Sequence, residues 1–142
     1  MRDDVCGEFD AMFAELARRV RPGRFEPNCD VYLSDDDAAL VVKVEIAGAE
    51  PSELRVLLEE RYLFIVGVRN ERERGGRGSL LMKEIEYGYF VKKIHLPTPV
   101  ADSGATALYR DGILTIRLPV SKESYRPTRR TEIRMTVKRI PV

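Results

Sequence analysis

A chain of 142 residues with almost balanced charge limits the classes of protein that this sequence can encode. Its 24 Lys and Arg residues against 23 Asp and Glu residues give a formal net charge of +1, which excludes a global field that would attract nucleic acid or an anionic membrane. With 44% hydrophobic residues the length suits one domain with one core, and the lack of a secretion signal or a bilayer-length apolar run predicts a cytoplasmic protein with no membrane partner.

The first predicted element is a short amphipathic helix within residues 9–20. Apolar residues recur there on one helical face, and Arg21-Pro22-Gly23 ends the pattern. We therefore predict that residues 1–28 form an arm ahead of the main domain, and whether its apolar face merely packs on that domain stays open. We define the arm stripe as the residues Phe9, Met12, Phe13 and Leu16.

From residue 29 the apolar spacing changes to two, which is the period of a half-buried β-strand. Many short strands at close spacing predict an all-β sandwich or barrel over residues 29–120. The dipeptide Asp111-Gly112 joins the last two runs and predicts a two-residue hairpin, because type I′ turns need positive φ at both positions. The alternating runs occupy residues 40–46, 54–58, 62–69, 87–96, 105–110 and 113–118.

Two segments break the strand pattern. Residues 70–79 are rich in Gly, Arg and Glu and predict an exposed loop, which leads into the apolar stretch 80–82 and so carries its own strand seed. Residues 121–142 are predicted to form a flexible tail with scattered apolar side chains. These are Ile133, Met135 and Val137, followed by the terminal Ile140-Pro141-Val142.

Few groups in the chain could carry out chemistry. Neither a glycine-rich phosphate loop nor a nucleophile elbow is present, and we expect no enzyme activity, no cofactor and no metal. His95 is predicted to lie on a strand surface, and the three Asp residues 35–37 predict a solvated turn. Cys6 and Cys29 predict two free thiols. Seven basic residues between 122 and 139 have little aromatic interleaving, which favours a solvated tail over a nucleic-acid partner.

Several ordered motifs resemble the small heat-shock protein family of α-crystallin type. The most specific covers residues 107–114 and matches the family signature A-x-x-x-(N/D)-G-(V/I)-L. Upstream, Tyr87-Gly88-Tyr89-Phe90 resembles the family's Y-G-x-F stretch, and Ile140-Pro141-Val142 resembles its I-x-(I/V) tail motif. The likeness covers about residues 29–120 in addition to that tail motif. The signature positions are Ala107, Asp111, Gly112 and Leu114.

The resemblance implies an immunoglobulin-like β-sandwich, the α-crystallin domain, that acts as an ATP-independent holding chaperone for unfolding client proteins under stress. It also implies that the arm stripe captures clients, that a strand is exchanged in a homodimer, and that tails dock in grooves of neighbouring subunits to build larger homo-oligomers. The implied dimer strand is Leu81, Met82, Lys83 and Glu84, the implied groove is Leu54, Val56, Leu58 and Leu108, and the implied tail anchor is Ile140, Pro141 and Val142.

One departure and one alternative accompany this resemblance. Lys92 stands where relatives commonly carry an arginine at the dimer contact, and lysine keeps the charge but loses the bidentate fork. The alternative function is that of a CS-domain-like co-chaperone, a related sandwich that binds one specific folded partner. The terminal tripeptide and the amphipathic arm favour the holding chaperone.

Overall fold

Apolar alternation becomes β-structure in a computed structural model of the chain, which describes residues 11, 14–15, 18–19, 25–71, 78–122 and 130–138. Within these ranges there are nine strands and one 3-10 turn, Pro51–Glu53. Helices able to cross a lipid bilayer are absent from the same ranges. The strands are β1 (Cys29–Leu33), β2 (Ala39–Glu45), β3 (Arg55–Glu59), β4 (Tyr62–Arg69), β5 (Gly88–His95), β6 (Thr106–Arg110), β7 (Ile113–Pro119), β8 (Arg130–Ile133) and β9 (Met135–Lys138).

These strands form two sheets. Sheet A has the strand order β1-β2-β7-β6-β9, and sheet B has the order β5-β4-β3-β8. Neighbouring strands are antiparallel except for β6 and β9, which are parallel. Residues from both sheets contribute to one apolar cluster, as expected when two sheets pack face to face. The predicted all-β sandwich is therefore confirmed.

The core lies between the sheets because alternate residues of each strand point inward. In β2, Val42 and Val44 are fully buried while Lys43 between them is exposed. The described part of the chain buries no charged side chain. At the edge of the core the Tyr109 hydroxyl donates a hydrogen bond of 2.6 Å to the carbonyl oxygen of Ile46, and burial raises the pKa of this phenol. The interior is thus apolar, with its one buried hydroxyl satisfied by the backbone.

The predicted hairpin at the family signature is present. Asp111 and Gly112 connect β6 to β7 with φ values of 54° and 78°, as a type I′ turn requires. A Cβ atom at position 112 would lie 3.1 Å from both the Cα and the Cβ of Ala47, so glycine satisfies a steric as well as a conformational demand. Leu114, which follows the turn, is fully buried and fixes the register of β7.

Part of the predicted tail belongs to the sheets. Strand β8 pairs with β3 and strand β9 pairs with β6, so residues 130–138 add an edge strand to each sheet. The physical reason is that β3 and β6 would otherwise present unpaired backbone groups, and the apolar residues Ile133 and Met135 bring the extension to them. We refer to residues 130–138 as the extension clip.

Candidate functional site

We use the term groove for the space along the edges of β3 and β6, to which strands β8 and β9 pair. Strands β8 and β9 are separated by Arg134 alone, so the edges of β3 and β6 to which they pair lie side by side. From β3, Val56 and Leu58 belong to the main apolar cluster, as does Leu54 just before the strand. The structure therefore brings together three of the four residues assigned to the groove.

The fourth groove residue lies on the other face of its strand. Ala107 and Tyr109 of β6 belong to the main cluster, whereas Leu108 between them is half-buried and points to the outer face of sheet A. The assignment of Leu108 to the groove is corrected accordingly. Period-two alternation places Ala107 and Tyr109 there instead.

The groove is filled by the chain's own extension clip. Ile133 is opposite Val56 in the β3–β8 register, is 5% exposed and belongs to the main cluster. Two residues later, Met135 is opposite Ala107 in the β6–β9 register and packs against the same cluster. Ile133 is thus opposite the β3 side of the groove, and Met135 is opposite the β6 side. The predicted anchor Ile140, Pro141 and Val142 lies outside the described residues.

Charged side chains hold β8 to β3. Arg55 donates two hydrogen bonds to Glu132, from Nε to Oε1 at 2.6 Å and from Nη2 to Oε2 at 2.8 Å. Arg130 Nε donates to Glu59 Oε1 at 2.9 Å. In this second pair the basic residue is on β8 and the acidic residue on β3, the opposite of the first pair. The hydrogen bonds from Arg55 hold the pKa of the Glu132 carboxyl below its usual value. The clip is therefore fastened by apolar contacts inside the groove and by ion pairs at its side.

The predicted dimer strand is exposed in the single chain. Residues 80–84 are described but form no strand pairing with the rest of the described chain. The side chains of Leu81 and Met82 are 96% and 75% exposed. The Lys83 side chain has two contacts within the chain. Its Nζ donates a hydrogen bond of 2.9 Å to the Ile85 carbonyl oxygen and lies 4.8 Å from the Tyr87 ring centroid. Two large apolar residues in succession are thus presented to solvent.

An open sheet edge carries a second apolar patch. Strand β1 is at the end of sheet A and pairs with β2 only, as far as the described residues go. Its residues Val31, Tyr32 and Leu33 are all exposed. An edge with unpaired backbone groups and apolar side chains is a surface on which another strand can pair. The alternating runs that the sequence predicts begin at residue 40, so patterning predicted neither this strand nor the exposure of its apolar residues.

Lys92 forms its ion pair within the chain. Its Nζ lies 3.3 Å from Oε1 of Glu26, in the segment just before β1. Nearby, the Arg69 guanidinium stacks 3.7 Å from the Phe25 ring centroid and donates to the Glu86 carbonyl oxygen. These contacts tie the segment before β1 to sheet B. Lys92 stands where relatives commonly carry the dimer-contact arginine. In this chain it therefore pairs with an acidic residue of its own subunit, Glu26.

The groups considered for other chemistry are structural or solvated. His95 is exposed, as predicted, and its ring packs edge-on against Tyr62 at 5.2 Å between centroids. Asp36 caps its own turn by accepting hydrogen bonds from Ser34 Oγ and the Ala38 amide, which lowers the pKa of that carboxyl. Cys29 is a free thiol, and Cys6 lies outside the described residues. In the ranges described, the acidic, His and Cys side chains form no cluster of metal-ligand type.

The arm stripe cannot be located from the described residues. Phe9, Met12, Phe13 and Leu16 all lie outside them. Within residues 9–20 the structure describes Ala11, Ala14, Glu15, Arg18 and Arg19, which are in helical conformation. The complete amphipathic helix therefore stays a prediction.

Similarities to known proteins agree with this geometry. The model of the Hsp20/alpha crystallin family matches residues 32–137. Small heat shock protein C4 of Rickettsia felis is 28% identical over 127 residues, covering 86% of this chain and 75% of that protein. Small heat shock protein C2 of the same organism is 28% identical over 135 residues, covering 94% and 86%. The structure of heat shock protein 16.0 from Schizosaccharomyces pombe superposes with a TM-score of 0.65 at 24% identity, covering 75% of this chain and 81% of that one.

The fold, the groove and the family match together define the class of protein. The chain belongs to the Hsp20/alpha crystallin family of small heat shock proteins, whose members are ATP-independent chaperones rather than enzymes. The CS-domain alternative receives no support from these similarities.

Proposed function

We propose that this chain is a holding chaperone that binds non-native proteins and prevents their aggregation without ATP, in the cytoplasm and without a cofactor. The observation that carries the proposal is the match of residues 32–137 to the Hsp20/alpha crystallin family, and the large exposed apolar side chains of Leu81 and Met82 add a surface for protein interaction. Contiguous exposed apolar surface marks a site of protein interaction, and family membership gives that surface a function. Its partners are unfolding client proteins and other copies of the same chain.

A strand-exchanged homodimer would use the exposed segment. Residues 80–84 extend from the domain, while the edge of β1 offers backbone groups and the apolar residues Val31 and Leu33. Placing one subunit's segment on the partner's β1 edge would pair both backbones and cover both sets of apolar side chains. A C2 dimer makes this contact twice, which doubles the buried area.

Larger assemblies would use the groove between β3 and β6. The clip residue Ile133 fills that groove within the subunit, and the terminal residues Ile140 and Val142 have the same spacing of two as Ile133 and Met135. We propose that the terminal tripeptide enters a neighbour's groove when the neighbour's clip leaves it. Burial of two such side chains contributes roughly 1.5–3 kcal/mol each before ordering costs, so this docking is reversible.

The test of the chaperone proposal is light scattering from a heated client in nucleotide-free buffer. The full chain should suppress the scattering, and the double substitution Phe9→Ser with Phe13→Ser should reduce this protection because it removes the aromatic part of the arm stripe. The matched control, Asp10→Ser with Ala17→Ser, changes the same arm outside the stripe. A strict requirement for nucleotide, or no suppression at any ratio of chaperone to client, would reject the proposal.

A further inference from the structure

The exposed segment 80–84 joins sheet B at Gly88, the first residue of β5. Gly88 has a φ value of 126°, which residues with a side chain rarely adopt. The glycine therefore allows a change of chain direction at this point. Arg69, the last residue of β4, is opposite Gly88 in the β4–β5 register. A half-buried arginine thus lies where the exposed segment meets the sandwich.

The Arg69 guanidinium binds backbone from two parts of the chain. Its Nε donates a hydrogen bond of 3.0 Å to the Glu86 carbonyl oxygen, and its Nη2 donates to the same oxygen. Its Nη1 donates at 3.4 Å to the carbonyl oxygen of Ala47, which lies just after β2. The planar fork of an arginine holds such acceptors at fixed angles, which a lysine ammonium does not. Arg69 therefore fixes the root of the exposed segment to the end of β2.

Aromatic rings extend the contacts of Arg69 in two directions. Its guanidinium lies 3.7 Å from the Phe25 ring centroid and 5.7 Å from that of Tyr87, and Lys83 Nζ lies 4.8 Å from the Tyr87 centroid. All three distances are within the range of about 6 Å for cation–π attraction. Phe25 packs edge-on against the buried Phe90 at 5.3 Å between ring centroids. We call Lys83, Tyr87, Arg69 and Phe25 the junction ladder.

The junction ladder connects the two halves of the proposed dimer contact. Lys83 at one end belongs to segment 80–84, the donor segment, which the partner would receive. Phe25 at the other end precedes strand β1, whose free side, the acceptor edge, would receive the partner's segment. Glu26, next to Phe25, is fixed to sheet B by its ion pair with Lys92. The donor segment and the acceptor edge of one subunit are therefore held in a fixed relation by the ladder.

We propose that Arg69 is a positioning residue of the dimer, which sets the angle between the donor segment and the acceptor edge. This role rests on the proposed strand-exchanged dimer. A two-fold dimer closes only if both copies of the contact form together, whereas a contact made at another angle gives an open chain of subunits. A donor segment that is held in place before association also loses less conformational freedom on binding. Arg69 thus stabilises the dimer from outside the exchanged segment.

Backbone amide relaxation, measured by NMR on a monomeric full-length chain, tests the ladder without the dimer. The monomer is the variant Leu81→Asp with Met82→Asp. Order parameters of residues 84–87 should be near about 0.85 in this chain, as in rigid backbone, and should fall below about 0.6 when Arg69→Gln is added. The control Arg117→Gln removes the same charge from an exposed position of sheet A and should leave them unchanged. Values below about 0.6 before Arg69 is changed overturn the ladder.

The substitution Phe25→Leu tests whether the two ends of the ladder are connected. Leucine keeps an apolar contact with Phe90 but removes the ring on which the Arg69 guanidinium stacks. Order parameters of residues 84–87 should therefore fall as well, and the combination with Arg69→Gln should add little, since both changes break one set of contacts. No effect of Phe25→Leu on residues 84–87, or an additive effect of the two changes, overturns the connection.

Analytical ultracentrifugation separates the ladder from its role in the dimer. In the otherwise wild-type chain, Arg69→Gln should raise the dissociation constant of the dimer at least about tenfold, because the donor segment must then be ordered on association. Arg69→Lys keeps the charge without the fork and should not restore it, whereas Arg117→Gln should match the wild type. Lower order parameters with an unchanged dissociation constant overturn the positioning role. A wild-type chain that is monomeric at every concentration rejects the proposed dimer and this role with it, and leaves the relaxation result standing.

Discussion

Glu132 is the acidic residue whose ion pair with Arg55 holds strand β8 of the extension clip to β3. It accepts both hydrogen bonds from Arg55, and those bonds lower the pKa of its carboxyl. A depressed folded-state pKa stabilises the paired form at every pH above the ordinary glutamate pKa, and that stabilisation is lost as the pH falls through the lowered value. Both side chains are about two-fifths exposed, so screening by solvent keeps the contribution modest.

We predict that acid loosens the clip before it unfolds the sandwich. Between about pH 7 and about pH 3, hydrogen–deuterium exchange of residues 130–138, corrected for the intrinsic pH dependence, should accelerate relative to that of β7. Glu132→Gln should show fast clip exchange already at neutral pH and little further change. Glu45→Gln, an exposed carboxylate on sheet A, serves as the control. Equal pH dependence in wild type and Glu132→Gln would contradict the role of this ion pair.

Residue-level features set by local chemistry were predictable from the sequence. The Asp111-Gly112 turn needs only the positive φ that these residues tolerate, and the turn at residues 35–37 needs only the local hydrogen bonds that Asp36 accepts from Ser34 and Ala38. Leu108 was assigned to the wrong face because the groove was placed by resemblance rather than by counting alternation from the buried Ala107. The bidentate pair of Arg55 with Glu132 joins residues that are 77 positions apart in the sequence. A pattern of neighbouring residues cannot predict a contact over that separation.

At the scale of elements, the extension clip is the main difference between expectation and structure. A charged, Thr-rich stretch predicts a solvated tail when it is considered alone. Its pairing depends on two sheet edges formed much earlier in the chain, at β3 and β6. The available signal was the alternation of Ile133, Met135 and Val137, which is the period of a strand. The nine residues are too short to identify their partners without the fold.

We predict that the clip and the terminal tripeptide have opposite effects on assembly. Ile133→Ala weakens the clip that occupies the groove and should favour docking of a neighbour's tail, so assemblies should become larger or more stable to dilution. Ile140→Gly with Val142→Gly removes the proposed anchors and should weaken association beyond the dimer at least about tenfold. Multi-angle light scattering over a dilution series measures both.

The control for tail flexibility is Thr128→Gly with Arg129→Gly, which adds two glycines to the tail and removes no apolar anchor. Its mass distribution should match that of the wild type. If the terminal double variant also retains the wild-type mass, the tripeptide does not link subunits. If Ile133→Ala dissolves assemblies instead, the clip itself is exchanged between neighbours.

At the scale of the whole molecule, the described chain leaves three apolar surfaces that a subunit must cover. The groove is filled by the clip, and a second apolar cluster of Leu57, Phe64 and Val66 on the outer side of sheet B is buried. The exposed segment 80–84 and the β1 edge are covered by nothing in the described residues. The sequence predicted the fold because alternation is strong over many strands. The sequence could not show which of these surfaces is exposed and which is covered, since exposure is a property of the folded chain.

The last surface gives the most direct prediction about the dimer. Leu81→Asp with Met82→Asp should produce monomers, because burying Leu and Met side chains contributes roughly 1.5–3 kcal/mol each and a symmetric dimer contains both twice. Dissociation should increase by at least about a hundredfold, as measured by analytical ultracentrifugation. The melting temperature of the resulting monomer should match that of wild-type monomer at high dilution, since both side chains are almost fully exposed in the single chain. Thr106→Asp with Ser52→Asp adds the same two charges at other exposed positions and should remain dimeric. A variant at positions 81 and 82 that stays dimeric at the same concentrations would show that the subunits associate through another surface, and the β1 edge would then be open to a client strand.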